Sequence, residues 1–92
     1  METQTDNTSR LYDMTAEQMG IFTFLVSYWL RNDHLPTGRQ IAVEFRLKYD
    51  MKGYQRIQDL ESIGVLERSP DRNRSHRFHR PTIQHYLKSS GL

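Results

Sequence analysis

The sequence predicts an α+β fold that is mainly helical, with three helices followed by a two-stranded hairpin. Two threonines each stand three positions before a glutamine at the start of an apolar periodic segment, which is the pattern of a capping box. Gly64 follows a third helical segment, as expected at a helix end. An arginine-rich turn then separates two short alternating segments, which is typical of a hairpin.

The first helix is predicted from Thr15 to about Arg31. Thr15 and Gln18 form the capping box, and the side chains behind them give one broad apolar face at three- to four-residue spacing. That face carries Met19, Phe22, Leu25, Val26 and Trp29. Because so many of these side chains are large, we expect this helix to be the spine of the core.

The next two helices are predicted close together. Thr37 and Gln40 form the second capping box of a short helix that ends near Arg46. The third helix is expected to begin with Asp50 as its N-cap and to continue to residue 63. A glycine inside a helix costs about 1 kcal/mol relative to alanine, so Gly53 predicts a close approach to the preceding helix.

The hairpin is predicted from residue 65 to residue 80. Residues 65–68 form the first strand, residues 69–75 the turn, and residues 76–80 the returning strand, with Phe78 turned inward. Residues 82–88 fit one or two helical turns, whose apolar side chains either fold back on the core or form a dimer patch. Those side chains are Ile83, Tyr86 and Leu87.

These elements give a flexible tail over residues 1–13, a folded domain over 14–80 and a short C-terminal helical extension over 81–92. Helix, helix and basic hairpin in this order, within a single domain of this length, indicate a winged helix-turn-helix. Such a domain places a helix in the DNA major groove while the wing contacts the backbone.

Composition excludes several other classes of function. The chain has no cysteine, hence neither disulfides nor a thiol nucleophile. It has no apolar run of the roughly 20 residues that span a bilayer, so we expect no membrane partner and a cytoplasmic protein, nucleoid-associated when bound. It lacks a glycine-rich phosphate loop and a nucleophile elbow, and His76 and His79 fall on opposite faces of a strand. We therefore expect no enzyme, cofactor or metal.

The charge is unevenly distributed along the chain. Residues 64–92 hold six basic and two acidic side chains, a net of +4, whereas residues 1–63 hold seven basic and nine acidic ones, a net of −2. This asymmetry indicates a polyanionic partner for the C-terminal third. A solvated basic surface without a partner is the alternative.

Three segments resemble the DNA-binding domain of the LexA repressor family. They are Met14-Thr15-Ala16-Glu17-Gln18, Leu35-Pro36-Thr37 with Ile41-Ala42, and Ile57-x-x-Leu60-x-x-x-Gly64-Val65-Leu66-Glu67. The resemblance covers roughly residues 14–78 and implies a winged helix-turn-helix that binds double-stranded DNA, as in a small transcriptional repressor.

The sequence departs from that family at two places. The turn between the two helices, usually small or glycine, is Phe45-Arg46-Leu47 here, and the segment 48–56 shares little with the family's reading side chains. The DNA target is therefore not implied by the resemblance. The chain also ends before a LexA-type protease and dimerisation domain would begin, so we expect no self-cleavage, and this compactness suits a phage or mobile-element protein.

Candidate DNA contacts follow from side-chain chemistry. Lysine and arginine reach guanine or phosphate, glutamine pairs with adenine, and tyrosine contacts phosphate or a thymine methyl group. The recognition segment supplies Lys48, Tyr49, Lys52, Tyr54, Gln55 and Arg56. The wing supplies Arg68, Arg72, Arg74 and Arg77, and the second helix supplies Arg39 and Gln40. The last two serve equally well as surface and capping residues.

A second class of function stays open. Winged helices also serve as protein-interaction modules, either adaptors or inhibitors, and the basic wing or the acidic N-terminal tail fits a protein partner as well as DNA. If the partner is DNA, a homodimer on two half-sites is expected.

Overall fold

The computed structural model describes residue Leu11 and residues 13–69 and 76–91. They form four helices and one two-stranded sheet: α1 (Ala16–Asn32), α2 (Gly38–Glu44), α3 (Asp50–Ser62), β1 (Leu66–Arg68), β2 (His76–Phe78) and α4 (Arg80–Ser90). This is a mainly helical winged helix-turn-helix, as predicted. No helix within these residues combines the length and apolar character that crossing a bilayer requires.

Both predicted capping boxes are present. The Thr15 hydroxyl accepts from the Gln18 amide at 3.1 Å, and the Gln18 side chain accepts from the Thr15 amide at 2.9 Å. Thr37 and Gln40 repeat the arrangement at 3.1 and 2.8 Å. Each pair satisfies two backbone donors that a helix start would otherwise leave without partners, which fixes where α1 and α2 begin.

Helix α1 is the spine of the core, as its aromatic content predicted. Its buried side chains are Ile21, Phe22, Leu25 and Val26. The Phe22 ring packs edge-on against Phe78 of β2 and Tyr86 of α4, with 5.6 and 5.2 Å between ring centroids. The centroids of Trp29 and Phe78 are 5.2 Å apart. One helix therefore holds both the hairpin and the C-terminal helix in place.

The end of α3 confirms the role predicted for Gly64. This glycine has φ 86°, its amide donates to Glu61 at 3.0 Å, and the Val65 amide donates to Leu60 at 3.2 Å. These are the two bonds of a Schellman motif. The chain therefore turns directly into β1, and the wing lies against the recognition helix.

The start of α3 differs from the prediction. Tyr49, not Asp50, is the N-cap, with extended φ −130° and ψ 148° and no side-chain capping bond, while Asp50 lies within the first turn. A carboxylate in that turn is favourable near the positive end of the helix dipole. Aspartate therefore suits both the N-cap and the first turn, and its presence at position 50 does not determine where α3 begins.

The hairpin is shorter than predicted and the last helix longer. β1 and β2 pair antiparallel, with Leu66 opposite Phe78, and α4 begins at Arg80 with Pro81 in its first turn. Proline suits that position because its fixed φ is helical and its missing N–H has no partner to lose. The side chain of Ile83 is buried, and Tyr86 and Leu87 pack against the core, so this segment folds back, as one of the two alternatives predicted.

The core also takes in Leu11, which is buried. The predicted flexible tail falls mostly on residues 1–10 and 12, which lie outside the described residues.

Candidate nucleic-acid interface

Helices α2 and α3 approach each other through two glycines. A Cβ placed on Gly53 would overlap the carbonyl oxygen of Gly38 and would lie 3.1 Å from the amide nitrogen of Ala42. The backbones are thus in contact, and only glycine fits at position 53. The close approach predicted from Gly53 is confirmed, and it fixes the angle at which α3 projects from the domain.

The turn between these helices is tight despite its unusual sequence. Arg46 has φ 56°, in the left-handed region. Its amide donates to Val43 at 3.2 Å, and the Leu47 amide donates to Ala42 at 2.8 Å. Arg46 thus occupies the left-handed position of a Schellman motif, which usually belongs to glycine, and the turn keeps the ordinary shape at some cost in strain.

One face of α3 points away from the protein. Gly53 and Leu60, seven residues apart, are buried, and positions 51, 55 and 58 lie opposite them on the helix. Met51, Gln55 and Gln58 are all exposed there. Tyr54 lies beside them with its ring over Gly38.

Large apolar side chains are concentrated at the N-terminal end of this face. Met51 is 67% exposed, Tyr49 is 59% exposed and Tyr54 is 51% exposed. Residues at the start of a recognition helix are those that reach base edges in a helix-turn-helix. The structure thus brings together Tyr49, Lys52, Tyr54 and Gln55 of the predicted contacts.

Lysines flank the same end of the helix. Lys52 is exposed, and Lys48 is exposed with its ammonium group 5.5 Å from the centre of the Tyr49 ring. Neither lysine forms an ion pair within 4.0 Å with another described residue. Arg39 and Asp50, in comparison, are 4.0 Å apart. Both cations thus lie on the surface at the N-terminal end of α3.

Arg56 does not lie on the exposed face, contrary to our expectation. Its side chain is only 23% exposed and pairs with Glu17 of α1 at 3.1 Å and with Asp59 at 3.9 Å. Its position is 60° from Gly53 on a helical projection, at the edge of the buried side. Of the three candidates Lys52, Gln55 and Arg56, only Lys52 and Gln55 are therefore exposed.

The two candidates on α2 differ in their surroundings. The Gln40 side chain accepts from the Thr37 amide at 2.8 Å, which confirms the capping role predicted as one alternative, and its amide group also donates to the Tyr28 hydroxyl at 3.0 Å. Arg39 is exposed, beside Asp50, and its contact with phosphate stays a prediction.

The described wing arginines have acidic neighbours. Arg77 pairs with Glu67 across the sheet at 2.8 Å, and Arg68 lies 3.5 Å from Glu61 of α3. The other oxygen of Glu61 is 3.0 Å from the His76 ring. Glu61 was missing from the predicted charge balance of the wing because it precedes the hairpin in sequence. Arg72 and Arg74 lie outside the described residues.

Sequence reasoning missed Met51 and Gln58 as candidates. The signal was available: both stand opposite the glycine and leucine that face the core, at the i, i+4, i+7 positions shared with Gln55. Methionine carries no strong hydrogen-bonding group for a base edge, so its side-chain chemistry alone did not indicate a contact.

A short helix, a tight turn and a second helix with an exposed outer face together define a helix-turn-helix DNA-binding domain. The comparison with protein families agrees with this class. The model of the LexA DNA binding domain matches residues 11–75, and the chain belongs to that family. Its role is accordingly DNA binding in the regulation of transcription. No curated protein and no solved structure shows significant similarity to the chain.

Proposed function

We propose that this protein binds specific sites on double-stranded DNA and acts as a small transcriptional regulator. Helix α3 enters the major groove, and the hairpin lies along the neighbouring backbone. The observation that carries the proposal is the two-sided character of α3. One side is locked against α2 by Gly53, and the opposite side exposes Met51 and Gln55, which no residue of the described ranges covers.

Different side chains supply specificity and affinity. Tyr49, Met51, Tyr54 and Gln55 contact base edges, while Lys48 and Lys52 bind phosphates beside the groove. Phosphate contacts give affinity for every duplex and make it depend on salt. Because its proposed ligand is DNA, we propose that the protein is cytoplasmic and associates with the nucleoid when it is bound.

The wing adds backbone contacts through Arg72 and Arg74, which lie between β1 and β2 in the sequence. Arginine binds phosphate through its planar fork and also enters narrow minor grooves. Arg68 and Arg77 have acidic neighbours in Glu61 and Glu67, so each would give up an ion pair in order to bind phosphate.

The protein is proposed to bind as a homodimer on two half-sites, because a single small module contacts few base pairs. Sedimentation with and without the selected duplex tests this point. A complex containing one protein copy per duplex would remove the dimer from the proposal and leave DNA binding intact.

The decisive experiment is a binding measurement on random duplex DNA at about 50 mM salt, followed by selection of preferred sites. We expect binding to random duplex that weakens steeply with salt and a recurring selected sequence. Absence of binding at low salt would contradict the proposal.

Charge variants then locate the interface. Lys48→Ala with Lys52→Ala should weaken binding to all duplexes and reduce the slope of log K against log salt by about 2, since each phosphate contact contributes about 1. Arg72→Ala with Arg74→Ala should do the same if the wing contacts the backbone. Lys88→Ala is the matched control, because Lys88 is an exposed lysine in the last turn of α4.

A protein-interaction module is the second candidate. The observation in its favour is the cluster of exposed apolar side chains, since exposed apolar patches also mark protein interfaces. That cluster comprises Tyr49, Met51 and Tyr54. The same binding measurement separates the two functions. A module that binds only a protein partner would not bind random duplex DNA at low salt.

A further inference from the structure

The outer face of α3 has a distinctive chemistry for a surface that reads DNA. It presents a thioether, two phenol rings and an amide near its N-terminal end and a second amide further along, and its cations lie at the flank and before the helix. These groups belong to Met51, Tyr49, Tyr54, Gln55 and Gln58. No arginine projects from the centre of this face.

Arginine matters because it is the commonest reader of guanine, through two hydrogen bonds to O6 and N7. Arg56 is the one arginine of α3, and Glu17 and Asp59 hold its guanidinium at the edge of the buried side. Turning it into the groove would break the 3.1 Å pair with Glu17. Arg56, the arginine that the sequence places in the recognition helix, is thus held by ion pairs within the domain and does not read guanine.

The remaining groups match the edges of A·T pairs. Glutamine pairs with the N6 and N7 atoms of adenine, and apolar side chains pack against the C5-methyl group of thymine. Met51 and Gln55 are one helical turn apart on the same face, a separation of about 6 Å between positions. That distance suits contacts with neighbouring base pairs in the stack.

We propose that the half-site of this protein is centred on A·T pairs, which Met51 and Tyr54 read through thymine methyl groups and Gln55 reads through an adjacent adenine. This inference rests on the proposed function, because it names the class of duplex that the same face accepts. Lys52, on the flank of the face, contacts phosphate or the base pair at the edge of the half-site.

The test begins with sites selected from a random duplex library by the full chain. We expect A·T pairs at the centre of each half-site. Each thymine of a selected duplex is then replaced singly by uracil, which removes only the C5-methyl group. At one or two positions this should weaken binding by about fourfold, the factor for one methyl-sized group taken out of an apolar contact.

The variant Met51→Ala assigns that methyl group. It should bind the thymine duplex more weakly than the wild type and lose most of the difference between thymine and uracil at one position. Leu30→Ala is the matched control, since Leu30 is an exposed apolar residue of α1 away from this face, and it should retain the full difference. Circular dichroism checks that both variants are folded.

Gln55 is tested in the same way at the neighbouring adenine. Replacing that A·T pair by G·C should weaken wild-type binding by about fivefold or more, and by clearly less in Gln55→Ala. Selected half-sites centred on G·C pairs, or uracil substitutions without effect at every position, would overturn this inference while leaving the proposed function standing. Failure to bind any duplex would overturn both.

Discussion

The contact between Gly53 and Gly38 makes alanine at position 53 the most informative single change. A Cβ there would overlap the Gly38 carbonyl oxygen. It would also lie 2.6 Å from the Gly38 carbonyl carbon, and this distance must increase to at least 3.0 Å. The obstacle is backbone and not the end of a flexible side chain. Helix α3 must therefore move away from α2, and the core packing of Ile41 in α2 and Leu60 in α3, both buried, loosens with it.

The magnitude is the difference between two opposing effects. Overpacking usually costs about 1–3 kcal/mol, and a backbone obstacle places this case near the upper end. Alanine gains about 1 kcal/mol of helix propensity over glycine. The net loss in the free energy of unfolding is then about 2 kcal/mol, which corresponds to a decrease in Tm of about 8–16 °C for a domain of this size.

Thermal unfolding followed by circular dichroism measures this effect, with Gly20→Ala as the matched control. Gly20 is also a helix-interior glycine, but a Cβ there meets nothing within 4 Å, so alanine should raise Tm by about 4–8 °C. The same substitution is expected to act in opposite directions at the two sites. A Gly53→Ala variant that melts at or above the wild-type temperature would refute the close approach.

Three further outcomes are expected. Gly38→Ala pushes against the inner end of the Tyr54 ring at 2.5–2.7 Å, so it should lower the free energy of unfolding by about 1–3 kcal/mol and, by displacing Tyr54, weaken DNA binding, as gel shifts and melts on the same samples will test. Arg46→Gly relieves a left-handed φ of 56° and should raise Tm by a few degrees, whereas Arg46→Ala keeps the strain and should not; equal Tm values for the two variants would contradict this. Thr37→Ala removes a capping bond and should lower the free energy of unfolding by about 1 kcal/mol in urea titrations, as should Thr15→Ala at the other capping box.

Local signals in the sequence predicted the scaffold well. Thr15 and Thr37 begin their helices as expected, because a capping box is complete within four residues and needs no tertiary partner. Gly64 ends α3 because only glycine adopts its φ of 86° without strain. Gly53 revealed a helix contact because its presence inside a helix has a cost that packing must offset.

Features that depend on distant partners could not be predicted. Arg56 is held by Glu17, 39 positions earlier in the chain, and no periodicity within α3 indicates that pair. Arg46 occupies a conformation typical of glycine, so its residue type carried no signal. Helix α3 was predicted, but its outward face was not, because Arg56 is held at the edge of the buried side and Met51 points outward.

The division of α3 into two sides has a consequence for how such a regulator changes its target. The side that holds the fold together depends on Gly53 and Leu60, whereas the outward positions 51, 55 and 58 have little part in the core. Substitutions at exposed positions usually alter stability by less than about 0.5 kcal/mol. Recognition can therefore diverge, in nature or in the laboratory, while the domain keeps folding, and a library randomised at these three positions would sample new DNA targets on an unchanged scaffold.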